Sequence, residues 1–359
     1  MSPSKPLKVG LLGAAHVPAL AELKSIISLS AVYSRSLKSA VTLAEIAKDR
    51  LNLSSPPPVY HDQGGKDADL DALLSSPDID AVIIALPITV QPDIIKKALA
   101  HGKHVLSEKP IAPSVAEGID LINEYEKNYK GKLIWRVAEN EEASPANRKT
   151  GELITQGVIG TVTWWNLTAV GSLSEDSPWY KTPWRAVPEY QGGFLLDGGV
   201  HSAAVLRIAL PSHPTHLSAH VSLNLEHLAP KDTLIAVVQS SDGSHGLFER
   251  SEGGPSVSRK STGFKITGNE GWIHLRPENG VQKITVHKVT EKSEEVEEFE
   301  YKEEGVKKEL EYWAQAVLGE PTIDVGNPWE TLRDVAFIEA GLKSKGERFD
   351  LEKLLKEGK

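Results

Sequence analysis

An unbroken apolar run, Ala81-Val82-Ile83-Ile84-Ala85-Leu86, constrains the fold of this chain more than any other feature. It is too short for a buried helix and lacks the polar alternation of a half-exposed strand. It therefore reads as a central parallel strand covered on both faces. The stretches around it alternate in the same style. Val9 to Leu12 ends at Gly13, and a helical pattern follows through about Ile27. Leu29 to Ser34 precedes a helix over Leu37–Ala47, and Pro58 to His61 is a weaker strand. A helix over Asp93–Ala100 leads into His104-Val105-Leu106, a turn, and a helix over Ser114–Tyr129. Strands alternating with helices imply right-handed βαβ units and a doubly wound parallel sheet.

After about Lys130 the rhythm changes. Strand patterns over Thr161–Val170, His216–Leu225, Leu234–Ser240, His245–Arg250, Gly263–Gly268, Trp272–Leu275 and Lys283–Val289 are separated by Gly-, Pro- and Ser-rich turns. Two helices, Asn147–Gln156 and Asp197–Leu210, are expected to cover one face of a large, mostly antiparallel open sheet. Trp164-Trp165 suits sheet packing or an oligomer face. The run from Glu291 to Glu304 suits a solvated edge strand and turn. A chain of 359 residues, at about 150 residues per domain, divides into residues 1–130 and 131–359. The helix over 328–343 is expected to pack back on the first domain. The fold class is α/β in both.

Net charge is −9, against the clustered Lys and Arg that duplex nucleic acid requires. Cysteine is absent, which removes disulfides, thiolate metal sites and Cys nucleophiles. The opening MSPSKPLKVGLLG lacks the pattern of a secretory leader, and no stretch approaches the roughly 20 apolar residues of a membrane span. We expect a soluble, cytoplasmic protein with no nucleic-acid or membrane partner.

The first strand-to-helix turn, Gly13-Ala14-Ala15-His16-Val17-Pro18, keeps only the first glycine of the G-x-G-x-x-G that cradles a dinucleotide pyrophosphate in Rossmann domains. Ala15 is small enough to let a phosphate approach, though an ordinary α/β turn reads the same way. Ser34-Arg35-Ser36 lies 21 residues beyond Gly13, where an acidic residue would select NAD. A hydroxyl with a guanidinium, and Lys38 beyond, accepts the 2′-phosphate of NADP instead; a solvated Arg at a helix cap is the other reading. Leu86-Pro87 could form a backbone wall against the same ligand, or a plain turn.

Glu108-Lys109-Pro110 ends the fifth strand, where a lysine could protonate or deprotonate a substrate oxygen; more Lys-Pro turns are structural. In Gly192-Gly193-Phe194-Leu195-Leu196-Asp197-Gly198-Gly199-Val200-His201, the carboxylate and imidazole sit four apart on one helix face. They could be a cap and a core histidine, or serve proton transfer and substrate orientation. The paired glycines allow a ligand to approach the backbone. No third ligand with metal spacing accompanies them. Arg185, after Trp184, could hold a hydroxyl, carboxylate or phosphate, or pack on the indole.

Taken in order, VGLLGAA, SRS, IDAVIIALP, AHGKHVLSEKP, ITQGVIGTV, WR, GGFLLDGGVH and ITGNEGWIHL resemble the Gfo/Idh/MocA oxidoreductases across nearly the whole chain. The resemblance implies an N-terminal Rossmann domain and a C-terminal α/β domain whose open sheet makes homodimers or homotetramers. It implies a nicotinamide cofactor, here NADP with NAD as the alternative, and a small sugar-like, polyol or dihydrodiol substrate. Lys109 matches the family's catalytic lysine. Asp197 and His201 match its D-x-G-x-H element, where His acts as acid/base with Asp assisting. Cofactor contacts then fall to Gly13, Ala14, Ala15, His16, Val17, Ser34, Arg35, Lys38, Leu86, Pro87, Gln91, Glu108, Lys109 and Arg185. Substrate contacts fall to Lys109, Arg185, Asp197 and His201. Gln91 stands where many members have His, and Glu141-Glu142 stands where many have an aromatic-Arg pair, placing carboxylates near a ligand wall. The family also contains non-catalytic cofactor-binding regulators and NAD-dependent glycosidases or eliminases with internal redox cycling.

Overall fold

The computed structural model describes residues 5–289 and 293–358. Residues 1–4 of the opening MSPSKPLKVGLLG, and Glu291 and Lys292 of the acidic run, lie outside them. The chain divides into two compact units, residues 1–112, 117–140 and 306–331 in one and 113–116, 141–305 and 332–359 in the other.

In the first unit, β1 (Leu7–Leu12), α1 (Val17–Glu22), β2 (Ile27–Tyr33), α2 (Leu37–Leu51), β3 (Val59–Tyr60), α3 (Leu70–Ser75), β4 (Ala81–Ile84), α4 (Gln91–Ala100), β5 (His104–Glu108), α5 (Val115–Asn128) and β6 (Trp135–Ala138) follow one another. The six strands are parallel, in the order β3-β2-β1-β4-β5-β6. This is the doubly wound order, which leaves a crevice beyond the carboxyl ends of β1 and β4. The apolar run at 81–84 is fully buried, as its composition requires. α2 starts where the Ser36 hydroxyl accepts the Ser39 N–H at 3.2 Å and buries Leu43, Ala44, Ala47 and Leu51 at helical spacing.

The helix after β1 ends at Glu22 rather than near Ile27. There the Leu23 and Ile26 amides close tight turns onto the Leu20 and Leu23 carbonyls, and β2 begins at Ile27. α3 and β6 were not anticipated. The Asp69 carboxylate caps α3 by accepting the Ala72 N–H at 2.8 Å. In β6, the buried Trp135 indole donates to the Ser107 hydroxyl at 3.0 Å.

Beyond β6 come α6 (Asn140–Ala143), α7 (Pro145–Thr155), β7 (Val162–Val170), α8 (Pro183–Ala186), α9 (Phe194–Ala209), β8 (Pro214–Ser222), β9 (Thr233–Ser240), β10 (His245–Ser251), β11 (Gly263–Gly268), β12 (Gly271–Glu278), β13 (Val281–Val289) and β14 (Glu294–Tyr301). The chain closes with α10 (Gly305–Leu318), α11 (Pro328–Ser344), β15 (Phe349–Asp350) and α12 (Leu351–Glu357). Leu310, Trp313 and Ala314 of α10 complete the core of the first unit.

The second unit's nine-stranded sheet runs β14-β13-β12-β11-β7-β10-β9-β8-β15 and is antiparallel except where β7 and β10 pair in parallel. α7 and α9 pack on each other and on one face of it. Alternation along the strands sorts the two faces. Trp165 is buried beside Phe264 while Trp164 is half in solvent, and β9 buries Leu234, Ala236 and Val238 while exposing Ile235 and Val237. β14 is an edge strand whose glutamates face solvent.

Candidate functional site

In the first unit the turn after β1 is fixed by sterics. Gly13 has φ 100°, and a Cβ there would lie 2.0 Å from the Ala85 carbonyl oxygen, so only glycine fits. Ala14 is exposed and Ala15 half-buried, whereas the His16 ring and Val17 are buried. His16 starts α1 at φ 69°, a left-handed conformation costing a non-glycine residue about 1–2 kcal/mol. Its Nε2 is 2.9 Å from Glu108 Oε1 and its Nδ1 3.9 Å from Glu309 Oε1. Neither ring nitrogen makes a hydrogen bond among the described residues.

Arg35 is exposed at the rim of a cavity of about 430 Å³ beyond β2 and β4, bordered by Leu86, Pro87, Val90 and Ile94. Three carboxylates also line it, and each is engaged. Asp62 accepts the Tyr33 hydroxyl, Asp69 caps α3, and Asp71 pairs with Lys97 at 2.8 Å. Burial, then the bond to Asp62, pushes the Tyr33 hydroxyl pKa well above its ordinary value. Ser34 is half-buried, Ser36 is committed to capping α2, and Lys38 is exposed on α2 away from the cavity lining.

Gln91, the first residue of α4, is buried, and neither amide atom has a hydrogen-bond partner among the described residues. A buried amide without a partner costs about 1–3 kcal/mol, so this one is suited to a polar group of a ligand. A backbone open only to glycine at position 13, an adjoining cavity and an orphaned amide together fit a dinucleotide. At the end of β5, Lys109 is half-buried, its N–H donates to Glu108 Oε2 at 3.1 Å, and the Lys109–Pro110 peptide is cis.

In the second unit, Gly192 and Gly193 both take positive φ to start α9. What approaches them is the protein itself: a Cβ on Gly192 would lie 2.7 Å from Leu342 Cδ1, and one on Gly193 would lie 3.0 Å from Pro230 Cδ. Gly198 and Gly199 likewise admit Arg250 and Ile338 against the helix. Asp197 is buried and accepts Arg185 Nε at 2.7 Å. The Arg185 guanidinium lies 4.2 Å from the Trp184 ring centre and 5.3 Å from that of Trp179. Tyr190 is buried beside them, its hydroxyl without a hydrogen-bond partner among the described residues. Burial, then the Asp197 carboxylate, pushes that hydroxyl's pKa upward.

One turn along α9, His201 is half-buried and lines a cavity of about 250 Å³ between the helix and the sheet. Thr168, Arg250, Arg276, Gln282 and Glu141 add polar groups to its wall. The two arginines come from separate strands, β10 and β12, and no motif in the chain joins them. Arg250 donates Nη2 to Glu252 and Nη1 to the Ala169 carbonyl, whereas Arg276 donates both Nε and Nη2 to Glu278 Oε2, at 3.0 and 2.8 Å. The paired glutamates part company. Glu141 lines the cavity and accepts Asn147 Nδ2 at 2.8 Å, whereas Glu142 is buried against Arg207 at 3.2 Å. Among the described residues, no cluster of three His, Cys, Asp or Glu side chains could hold a metal, and no helix is long and apolar enough to cross a membrane.

Comparison with known proteins agrees with this arrangement. Residues 8–134 match the oxidoreductase family's NAD-binding Rossmann fold, and residues 151–350 match its C-terminal alpha/beta domain. The chain is 39% identical over 347 residues to the dehydrogenase FPY6 of Fusarium mangiferae, covering 94% of this chain and 95% of that one. It is 27% identical to the YMR315W protein of Saccharomyces cerevisiae, covering 97% and 99%. The crystal structure of the oxidoreductase TM0312 of Thermotoga maritima superposes with a TM-score of 0.83 at 30% identity, covering 98% and 100%. Two matched domains, in the order and with the sheets that the family prescribes, make this chain a member of the NAD(P)-binding Gfo/Idh/MocA oxidoreductases.

Proposed function

We propose that the chain is an NADP-dependent dehydrogenase or reductase acting on a CH–OH or carbonyl group of a small sugar-like, polyol or dihydrodiol substrate. The observation that carries this reading is the cavity beside His201, walled by hydroxyl, amide and guanidinium groups. Such a wall suits a ligand with several hydroxyls. A bound nicotinamide would accept or donate the hydride. His201 and Lys109 would take up or return the proton of the substrate oxygen, and Asp197, through its bond to Arg185, would hold that guanidinium toward the ligand. Assaying polyols, aldoses and dihydrodiols with NADP and with NAD, followed by nicotinamide absorbance, tests this directly. Turnover of none of them with either cofactor would refute it.

The choice of NADP rests on Arg35. It rims the cavity beyond β2 and forms no ion pair among the described residues, while the neighbouring carboxylates are all engaged. Arg35→Ala is expected to weaken NADPH by roughly 10- to 100-fold, the scale of a lost hydrogen bond to a charged group at about 1.5–3 kcal/mol, and NADH hardly at all. Equal losses for both, measured by fluorescence titration, would refute the assignment.

The open face of the nine-stranded sheet is the surface we propose for self-association. Ile235 and Val237 of β9 and Leu247 of β10 are about half exposed there, and Val237 stands directly opposite Leu247. Contiguous apolar patches of this kind mark interfaces. The pair Val237→Lys and Leu247→Lys is expected to convert a dimer or tetramer to smaller species in light scattering. An unchanged mass would exclude this face.

A further inference from the structure

The turn after β1 carries a buried imidazole that the dinucleotide motif does not call for. Two of the three glycines that usually shape such a turn are here Ala15 and Pro18, and the following helix has only six residues. The turn's last residue, His16, adopts φ 69°, a left-handed conformation uncommon for a residue with a side chain.

Two carboxylates from different elements approach its ring. Glu108 ends β5 and brings Oε1 to 2.9 Å from His16 Nε2. Glu309, on α10 and buried, brings Oε1 to 3.9 Å from Nδ1. The other oxygen of Glu108 accepts the Lys109 amide at 3.1 Å. One carboxylate thus spans from the turn to the peptide of the lysine.

We propose that His16 is a positioning residue for the dinucleotide, acting through Glu108 and Glu309 to clamp the Gly13–His16 turn in the shape that receives it. The imidazole takes over the shaping role of the missing glycines. Pre-forming the turn spares the ligand the cost of ordering it, which appears as affinity. This rests on the dinucleotide reading of the first unit.

His16→Gly isolates the ring, because glycine takes φ 69° without strain. In the purified full-length chain, titrated with NADPH by nicotinamide fluorescence, it is expected to raise Kd about ten-fold, because the ligand must then order the turn on binding. Added imidazole, entering the space the ring leaves, is expected to restore most of that loss. His16→Gln, whose amide can reach Glu108, is expected to retain part of the affinity. If His16→Gly fails to fold, Glu309→Gln probes the clamp from its other side and is expected to weaken NADPH several-fold. NADPH affinity unchanged in these variants, or a lowered melting temperature without any loss of affinity, would overturn the clamp and leave the dinucleotide reading standing. Failure of the unsubstituted chain to bind NADPH or NADH would overturn both.

Discussion

Lys109→Ala is expected to cut turnover by about 100-fold or more, the usual scale for removing a general acid or base, while NADPH affinity stays within a few-fold. The lysine stands at the carboxyl end of β5, where the parallel sheet opens, and is only half-buried. Its backbone is held independently of its amine, by the Glu108 carboxylate on its N–H and by the buried Pro110 that follows. Truncation should therefore leave the turn in place and remove the amine alone. Lys109→Arg is expected to do no better than alanine, since a guanidinium cannot release its proton at working pH. The check is a comparison of initial rates, on whichever polyol, aldose or dihydrodiol the parent turns over, with NADPH titrations on the same preparations. Undiminished turnover in Lys109→Ala would remove the amine from the chemistry and shift the proton to His201 alone.

That lysine was visible in the sequence because a motif surrounds it; most of what frames it was not. The fold class followed from the AVIIAL run and the loss of helix–strand alternation after residue 130, and both sheets appear in the expected style. Element ends were less readable. Leu20, Leu23 and Ile27 continue a helical period past Glu22, so nothing in the apolar pattern announced the turns that stop α1. β6 is only four residues long, and its identity depends on pairing with β5. The apolar stripe of Leu310, Trp313 and Ala314 says that α10 buries a face, but not which core receives it. At the site, Asp197 and His201 share a helix and so announced themselves. Arg250, Arg276 and Tyr190 owe their positions to strand register and loop packing, which spacing along the chain does not encode.

The same limit hid a buried ion cluster whose removal has the second large consequence. Arg207 of α9 donates Nε to Asp334 Oδ1 at 3.0 Å and Nη2 to Asp334 Oδ2 at 2.9 Å and Glu142 at 3.2 Å. All three side chains are nearly sealed from water, and α6, α9 and α11 meet through them. Burial alone would lower the Arg207 pKa, but the Asp334 and Glu142 carboxylates overcome it and hold the guanidinium above its ordinary value. Arg207→Leu is expected to cost about 3–5 kcal/mol, because it takes the guanidinium away from two buried carboxylates, and to lower the melting temperature by on the order of 10 °C. The loss should depend on pH in a definite direction. Buried carboxyls that lose the guanidinium have folded-state pKa values raised above their unfolded ones, so the native state binds protons more tightly than the unfolded chain. The penalty is then largest near neutrality and shrinks as the pH falls toward about 5. Replacing all three residues by apolar ones of similar volume is expected to recover most of the stability, since a buried ion network is often no better than good packing. Denaturant melts of the single and triple variants across this pH range decide the matter. A single-variant penalty independent of pH would mean that lost packing, not the lost guanidinium charge, sets the cost.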